Sequence, residues 1–420
     1  MPNATVREKL SLGQRLALFV ASIGPGLFLI GYNIGTGSVT TMASTGAQYG
    51  LTLVWPVFFS CLFTYFLIVA FGRYTAVTGE TAIHAFRRQF GRPVALFVLL
   101  ALIFTEWVST MGVMAVMVQV VQEWSRPLTS SGAGFNPVVL AIVFGGALYA
   151  FFLDGRYTFF EKLLAIMVAV MGLGFVLTMF MVVQNPADLA AGLIPSIPEE
   201  GNAPLLIAGM VGTTMSSVIF VMRSILVKEK KWGPADLRVE RRDAFVSAAL
   251  MFILSVAVMA SAAGTLFPKG LHVDNAIDMV MLLEPLAGRF AVSMFVVGLV
   301  AAGLSSLFPN YLLAPWLIAD YRGRPLDLRG RGARLLALTV VILDLAVPVF
   351  GGRPVFVMIV SQAVMTMVSP LVIVLMLILL NRRELMGEHR PTPAMNVALA
   401  VILLFATAMA VIGAAGLLNL

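Results

Sequence analysis

Apolar stretches long enough to cross a hydrocarbon core, roughly 20 residues each, recur from one end of this 420-residue chain to the other. In lipid the backbone groups of such a stretch find no water, so each stretch must bond internally as a helix. With 60% of residues hydrophobic and only 12% charged, no soluble domain has room to exist. The chain is therefore expected to be an all-α polytopic membrane protein with one transmembrane domain spanning 1–420.

Eleven spans are expected, near 14–48, 51–77, 92–122, 137–153, 160–184, 203–228, 242–267, 287–320, 333–350, 354–381 and 394–418. With the N-terminus inside, the inner loops hold 23 Lys and Arg residues, among them Arg87, Arg88, Lys228, Lys230, Lys231, Arg329 and Arg382. The outer loops hold four, Arg126, Lys269, Arg289 and Arg353. Basic loops resist translocation, so a cytoplasmic N-terminus is expected. The expected location is the inner, plasma membrane of a bacterium. The polar start, Met1 to Gln14, leads into a span with no small-residue cleavage pattern, so no removed signal peptide is expected.

Several classes of function are excluded. The net charge of +7 reads as topogenic loop charge, so no nucleic-acid partner is expected. A lone cysteine, Cys61, can form no internal disulfide. The three histidines, His84, His272 and His389, fall in polar connections, which excludes an imidazole metal site inside the membrane. No phosphate-binding loop, catalytic triad or metal-hydrolase motif is present, so neither an enzyme nor a cofactor is expected. The 24 methionines read as flexible packing, not as a metal relay.

Two spans carry residues that a spanning helix avoids. The first contains "GPG" at Gly24 to Gly26 and "GTG" at Gly35 to Gly37, followed by Ser38. The sixth, "GMVGTTMSSVIFVMRSILVKEK" from Gly209, clusters Thr213, Thr214, Ser216 and Ser217. Glycine costs about 1 kcal/mol per helix position relative to alanine, and freed backbone groups at membrane depth are tolerated where they line a protein cavity. Small residues also let helices pack closely. Four hydroxyls within five residues exceed what packing needs, however. Spans one and six stand five apart, and corresponding interrupted helices in two five-span halves point to an inverted-repeat transporter with a midplane site.

The residues at these places resemble the Nramp family of divalent-metal transporters. "GPGLFLIGYNIGTGSVTTMASTGAQYG" is similar to the family's first helix, "GMVGTTMSSVIFVMRSILV" to its sixth, "MLLEPLAGRFAVSMFVVGLVAAGLSS" to its eighth and "IVSQAVMTMVSPL" to its tenth. The resemblance implies a LeuT fold of two inverted five-helix repeats, within 1–184 and 203–381, with 394–418 as an additional helix. It also implies proton-coupled metal ion transport by alternating access. Counted from the Gly-Pro-Gly, the family's metal-binding Asp-Pro-Gly-Asn falls on Gly35, Thr36, Gly37 and Ser38. Its Met-Pro-His falls on Ser216, Ser217 and Val218, with Met215 one residue early. Gln362 matches the family's glutamine at the site. Glu106, in "FTEWVSTMG", matches an acid of the proton route, whereas the family's second acid is Ser109 here.

The expected substrate site is thus Gly35, Thr36, Gly37, Ser38, Thr213, Ser216, Ser217 and Gln362, with hydroxyls, carbonyls and one amide, and with no firm metal ligand. A dehydrated divalent ion would be poorly compensated there, so Mn²⁺ or Fe²⁺ is not the expected substrate. Two readings remain open. One is a weakly held hard cation such as Mg²⁺. The other is a small anionic or zwitterionic solute held by hydroxyls and by helices restarting near Ser38 and Val218. Glu106 is the candidate for proton coupling. Arg223, in span six, either gates the cavity or snorkels to the inner surface. Asp344, in "VILDLAV", is a second intramembrane carboxylate with no role implied by the resemblance. The rival class is a non-transporting receptor or scaffold. Such proteins carry a large soluble output domain, and this chain stops at Leu420 just after its last span, which argues against signalling.

Overall fold

The computed structural model describes residues 35–154, 158–183, 185–199, 201–287 and 290–418, and within them the regular structure is helical. The principal helices are α1 (Thr36–Tyr49), α2 (Val54–Thr78), α3 (Ala82–Phe90), α4 (Arg92–Ser125), α5 (Pro137–Asp154) and α6 (Thr158–Val182). They continue with α7 (Ala203–Thr214), α8 (Ser217–Glu229), α9 (Leu237–Thr265), α10 (Ala291–Arg322), α11 (Arg331–Asp344), α12 (Pro354–Met365), α13 (Ser369–Asn381) and α14 (Pro393–Leu418). Ten of the eleven expected spans fall on these helices. Of the first, α1 is the second half; its earlier part, with Gly24 to Gly26, lies outside the described residues.

Helix ends follow local chemistry. Proline occupies the first turn of α4, α7, α12 and α13, where a missing N–H costs nothing and the fixed φ suits the helix. Gly79 and Gly323 close α2 and α10 at φ 72° and 65°, a left-handed conformation that side chains with a Cβ resist.

Burial sorts the spans into a centre and a rim. The apolar window of Ala203–Glu229 is 100% buried, against 22% for Pro137–Asp154 and 17% for Arg331–Phe350. The span that clusters Thr213, Thr214, Ser216 and Ser217 is therefore enclosed by protein. The rim helices turn Phe104, Ile142, Phe180, Leu335 and Leu404 outward, as a lipid-facing surface requires. Inside, α7 packs along α12, α9 along α1, and α4 along both α10 and α12. Helix α11 lies against α10, α4 and α5.

Candidate functional site

The sixth span is broken where its sequence predicts. After α7, Met215 leaves the helical region (φ −126°, ψ 40°) and Ser216 is extended (φ −66°, ψ 135°), then α8 restarts at Ser217. The break frees the carbonyls of Thr214 and Met215, which an unbroken helix would bond to the N–H four residues on. Thr64 donates its hydroxyl to the Thr214 carbonyl at 2.9 Å. Ser217 donates to Ser369 at 2.9 Å, and Ser369 in turn donates to the Met215 carbonyl at 3.2 Å.

Ser369 belongs to a second interruption that sequence reasoning missed. The tenth span is not one helix: a turn over 366–368 separates α12 from α13. The available signal was "TMVSP", where a hydroxyl residue before Pro370 marks a helix start. Its flanks are so apolar that the hydropathy pattern runs through it unchanged.

Between these breaks lies a small buried cavity walled by five helices. The start of α1 contributes Gly35, Gly37 and Ser38; α4 contributes Glu106, Ser109 and Val113; the break in span six contributes Thr213 and Ser216. Ser306 and Asn310 come from α10, and Gln362 and Met365 from α12. The space inside has about 30 Å³ for water-sized spheres, enough for one or two waters or an ion. Gln362 donates to the Ser109 hydroxyl at 3.0 Å, and Ser216 donates to Glu106 Oε1 at 3.4 Å. Asn310 donates to the Ser306 carbonyl at 3.0 Å. The Ser306 hydroxyl is buried and has no partner among the described residues. Gly35 and Gly37 are required by close approach: a Cβ on Gly35 would sit on Ser306 Oγ, and one on Gly37 would lie 2.8 Å from Gln362 Nε2.

Seven of the residues singled out in the sequence, Gly35, Gly37, Ser38, Glu106, Thr213, Ser216 and Gln362, thus share one wall. Three others stand outside it for identifiable reasons. Thr36 turns its hydroxyl to the Leu299 carbonyl at 3.3 Å on α10. Ser217 is committed to Ser369. Arg223 neither lines the cavity nor snorkels: it is fully buried, bonded to Glu240 and Asp243 of α9, with the Trp232 ring 5.4 Å away. Its two carboxylates lie on the next helix, 17 and 20 residues along the chain, where no motif spacing would link them. Sequence reasoning also missed Ser306, Asn310 and Met365. The first two sit one turn apart around Pro309 in "LSSLFPNY", a polar pair beside a proline in an apolar span, which was a legible sign.

Glu106 is 2% exposed and is the one ionisable side chain in the described wall, which leaves hydroxyl, amide and thioether donors for the rest. No three His, Cys, Asp or Glu side chains gather into a metal-holding group among the described residues. The wall can offer a cation one carboxylate and several neutral oxygens.

Comparisons with known proteins agree on the ancestry. A family model described as "Natural resistance-associated macrophage protein-like" matches residues 26–415. The chain is 26% identical over 417 residues to the divalent metal cation transporter MntH of Chromohalobacter salexigens, covering 93% of this chain and 92% of that one. It is 24% identical over 404 residues to MntH of Caldanaerobacter subterraneus subsp. tengcongensis, covering 92% and 91%. Among solved structures it is similar to the Eremococcus coleocola manganese transporter in complex with an aromatic bis-isothiourea substituted compound. The TM-score is 0.74 at 16% identity, over 96% of this chain and 88% of that one. It is also similar to MhsT in complex with L-phenylalanine, with TM-score 0.63 at 13% identity over 92% and 98%. These neighbours share the LeuT fold, which is the fold of this chain.

Proposed function

Since the chain belongs to the Nramp family, whose members are membrane transporters and not enzymes, we propose that it is a secondary transporter of a hard cation, working by alternating access. It carries Mg²⁺ or a similar ion weakly, and sits in the plasma membrane of a bacterium with its N-terminus inside. The observation that carries this reading is the cavity wall, in which one carboxylate, Glu106, stands among the hydroxyls of Ser38, Ser109, Thr213, Ser216 and Ser306 and the amides of Asn310 and Gln362, so that oxygen donors outnumber the single thioether, Met365. Hard oxygen donors suit hard cations, whereas late transition metals prefer thioether, thiolate or imidazole. Mg²⁺ keeps several waters and needs only one or two carboxylates. A site with a single negative charge and no arginine also favours a cation over an anionic solute. The two inverted repeats proposed at 1–184 and 203–381 would place the interrupted helices on either side of this cavity.

Ser306 tests the wall itself. Its buried hydroxyl has no partner among the described residues, so removing it strands none of them. Ser306→Ala is expected to leave the melting temperature unchanged while weakening ion binding several-fold in calorimetry. Unchanged affinity would remove Ser306 from the site.

Glu106 is the proposed point of competition between ion and proton. Protonating it removes the only charge in the described wall, so transport should fall as the medium on the loading side becomes acidic. Glu106→Gln is expected to flatten that profile of initial rates in liposomes. An unaltered pH profile would take Glu106 out of the coupling.

A further inference from the structure

The transport reading leaves one intramembrane carboxylate without work. Asp344 is the last residue of α11, 1% exposed, at the helix end where the backbone dipole disfavours an anion. Among the described residues, no cation faces it from the elements around it. On α11 itself the nearest is Arg334, ten residues earlier, about 15 Å along a helix. From α10 the Tyr311 hydroxyl donates to Asp344 Oδ2 at 3.2 Å. From α4 the Thr110 hydroxyl faces the same carboxyl, while the carboxylate of that helix, Glu106, lies one turn earlier in the cavity wall. From α5, Gly145 stands beside Val341 and the Tyr311 hydroxyl, and Tyr149 of that helix bonds the Arg334 carbonyl. The following helix, Ala346–Phe350, carries no ionisable side chain.

Hydrogen-bond bookkeeping then specifies the proton. Asp344 Oδ1 has no partner as a carboxylate oxygen. The Thr110 hydroxyl has one proton for two acceptors, the Trp107 carbonyl at 2.9 Å and the Asp344 carboxyl. A proton on the carboxyl removes the buried charge, whereas a bare carboxylate would be buried without a compensating cation among the described residues.

A second cavity opens nearby. An open cavity of about 170 Å³ is lined by Ala115, Val118 and Gln119 of α4 and by Val347 and Pro348. Val347 lies three residues beyond Asp344, about 4.5 Å of helix rise. The two hydrogen-bonding helices, α4 and α10, also wall the substrate cavity through Glu106 and Asn310.

We infer that Asp344, with Tyr311 and Thr110, is a second proton-binding site, distinct from the substrate cavity and occupied in this conformation. When α4 and α10 shift around a bound ion, the Oδ1–H bond breaks, the electron pair stays on the carboxylate, and the proton passes to water in the adjoining cavity. Its part in coupling rests on the transporter reading; its protonation does not.

Infrared difference spectroscopy on the whole protein in liposomes at neutral pH separates the two. Wild type is expected to show a protonated carboxylic C=O band that Asp344→Asn removes, Glu106→Gln retains and Tyr311→Phe shifts in frequency. A band unchanged in Asp344→Asn overturns the site. The asparagine closely mimics the neutral acid in shape, and Tyr311→Phe gives an independent check should it fail to fold. In liposomes with a proton-sensitive dye, Asp344→Asn is expected to move the ion downhill with severalfold fewer protons per ion. Undiminished proton movement would overturn the coupling. If wild type moves no ion at all, the transporter reading fails while the infrared band still decides the protonation of Asp344.

Discussion

Replacing Arg223 with methionine is expected to destabilise the protein by about 3–5 kcal/mol, the range seen when one partner of a buried ion pair is removed. The Arg223 side chain is 0% exposed, and Glu240 and Asp243 are each 1% exposed. Its Nη2 donates to both the carbonyl and Oε1 of Glu240 at 3.1 Å, and Nη1 bonds Asp243. Gly72 of α2 lies so close that a Cβ there would touch the Glu240 carboxyl, so the cluster has no room to relax or admit water. Without the guanidinium, two carboxylates remain in the interior. The triple variant Arg223→Met, Glu240→Gln, Asp243→Asn should therefore recover most of the loss, because it removes the charges together. Reversible denaturation in mixed micelles measures both. A single variant losing less than about 1 kcal/mol would mean that the cluster is solvated.

Gly212→Val is the second large effect. A Cβ on Gly212 would overlap the carbonyl oxygen of Gln362 and lie 2.8 Å from its carbonyl carbon. Backbone cannot swing aside as a side-chain tip can, so α7 and α12 must separate. Overpacking of this kind costs about 1–3 kcal/mol or more. It also displaces Gln362, whose amide reaches Ser109 across the cavity. Transport is expected to be lost with valine and reduced with alanine. Gly146→Ala, where the added Cβ meets nothing within 4 Å, should be silent in both stability and transport. Equal behaviour of the two glycines would show that helix spacing at Gln362 does not matter.

The fold was largely legible because the membrane imposes length and hydropathy on every span. The break in span six could be read because glycine and hydroxyls are costly in a lipid-facing helix. Even so, the four hydroxyls of that span divide in a way the sequence does not reveal. Thr213 and Ser216 line the cavity, whereas Ser217 bonds Ser369 and Thr214 bonds the Met210 carbonyl at 2.7 Å. Which face of a broken helix meets the cavity depends on the angle at the break, and residue spacing does not encode that angle. Arg223 escaped for a related reason, since its partners are supplied by the first two turns of α9. The break in span ten was hidden by its own apolarity.

The central claim is that this cavity holds a hard cation weakly and does not select a late transition metal. Titrating the purified protein with Mn²⁺ and with Mg²⁺ by calorimetry, each alone and then in competition, tests it most directly. Mn²⁺ is expected to bind no more tightly than Mg²⁺, as a wall of hydroxyls and amides with one carboxylate and a single thioether implies. Micromolar Mn²⁺ binding with a strong preference over Mg²⁺ would contradict it.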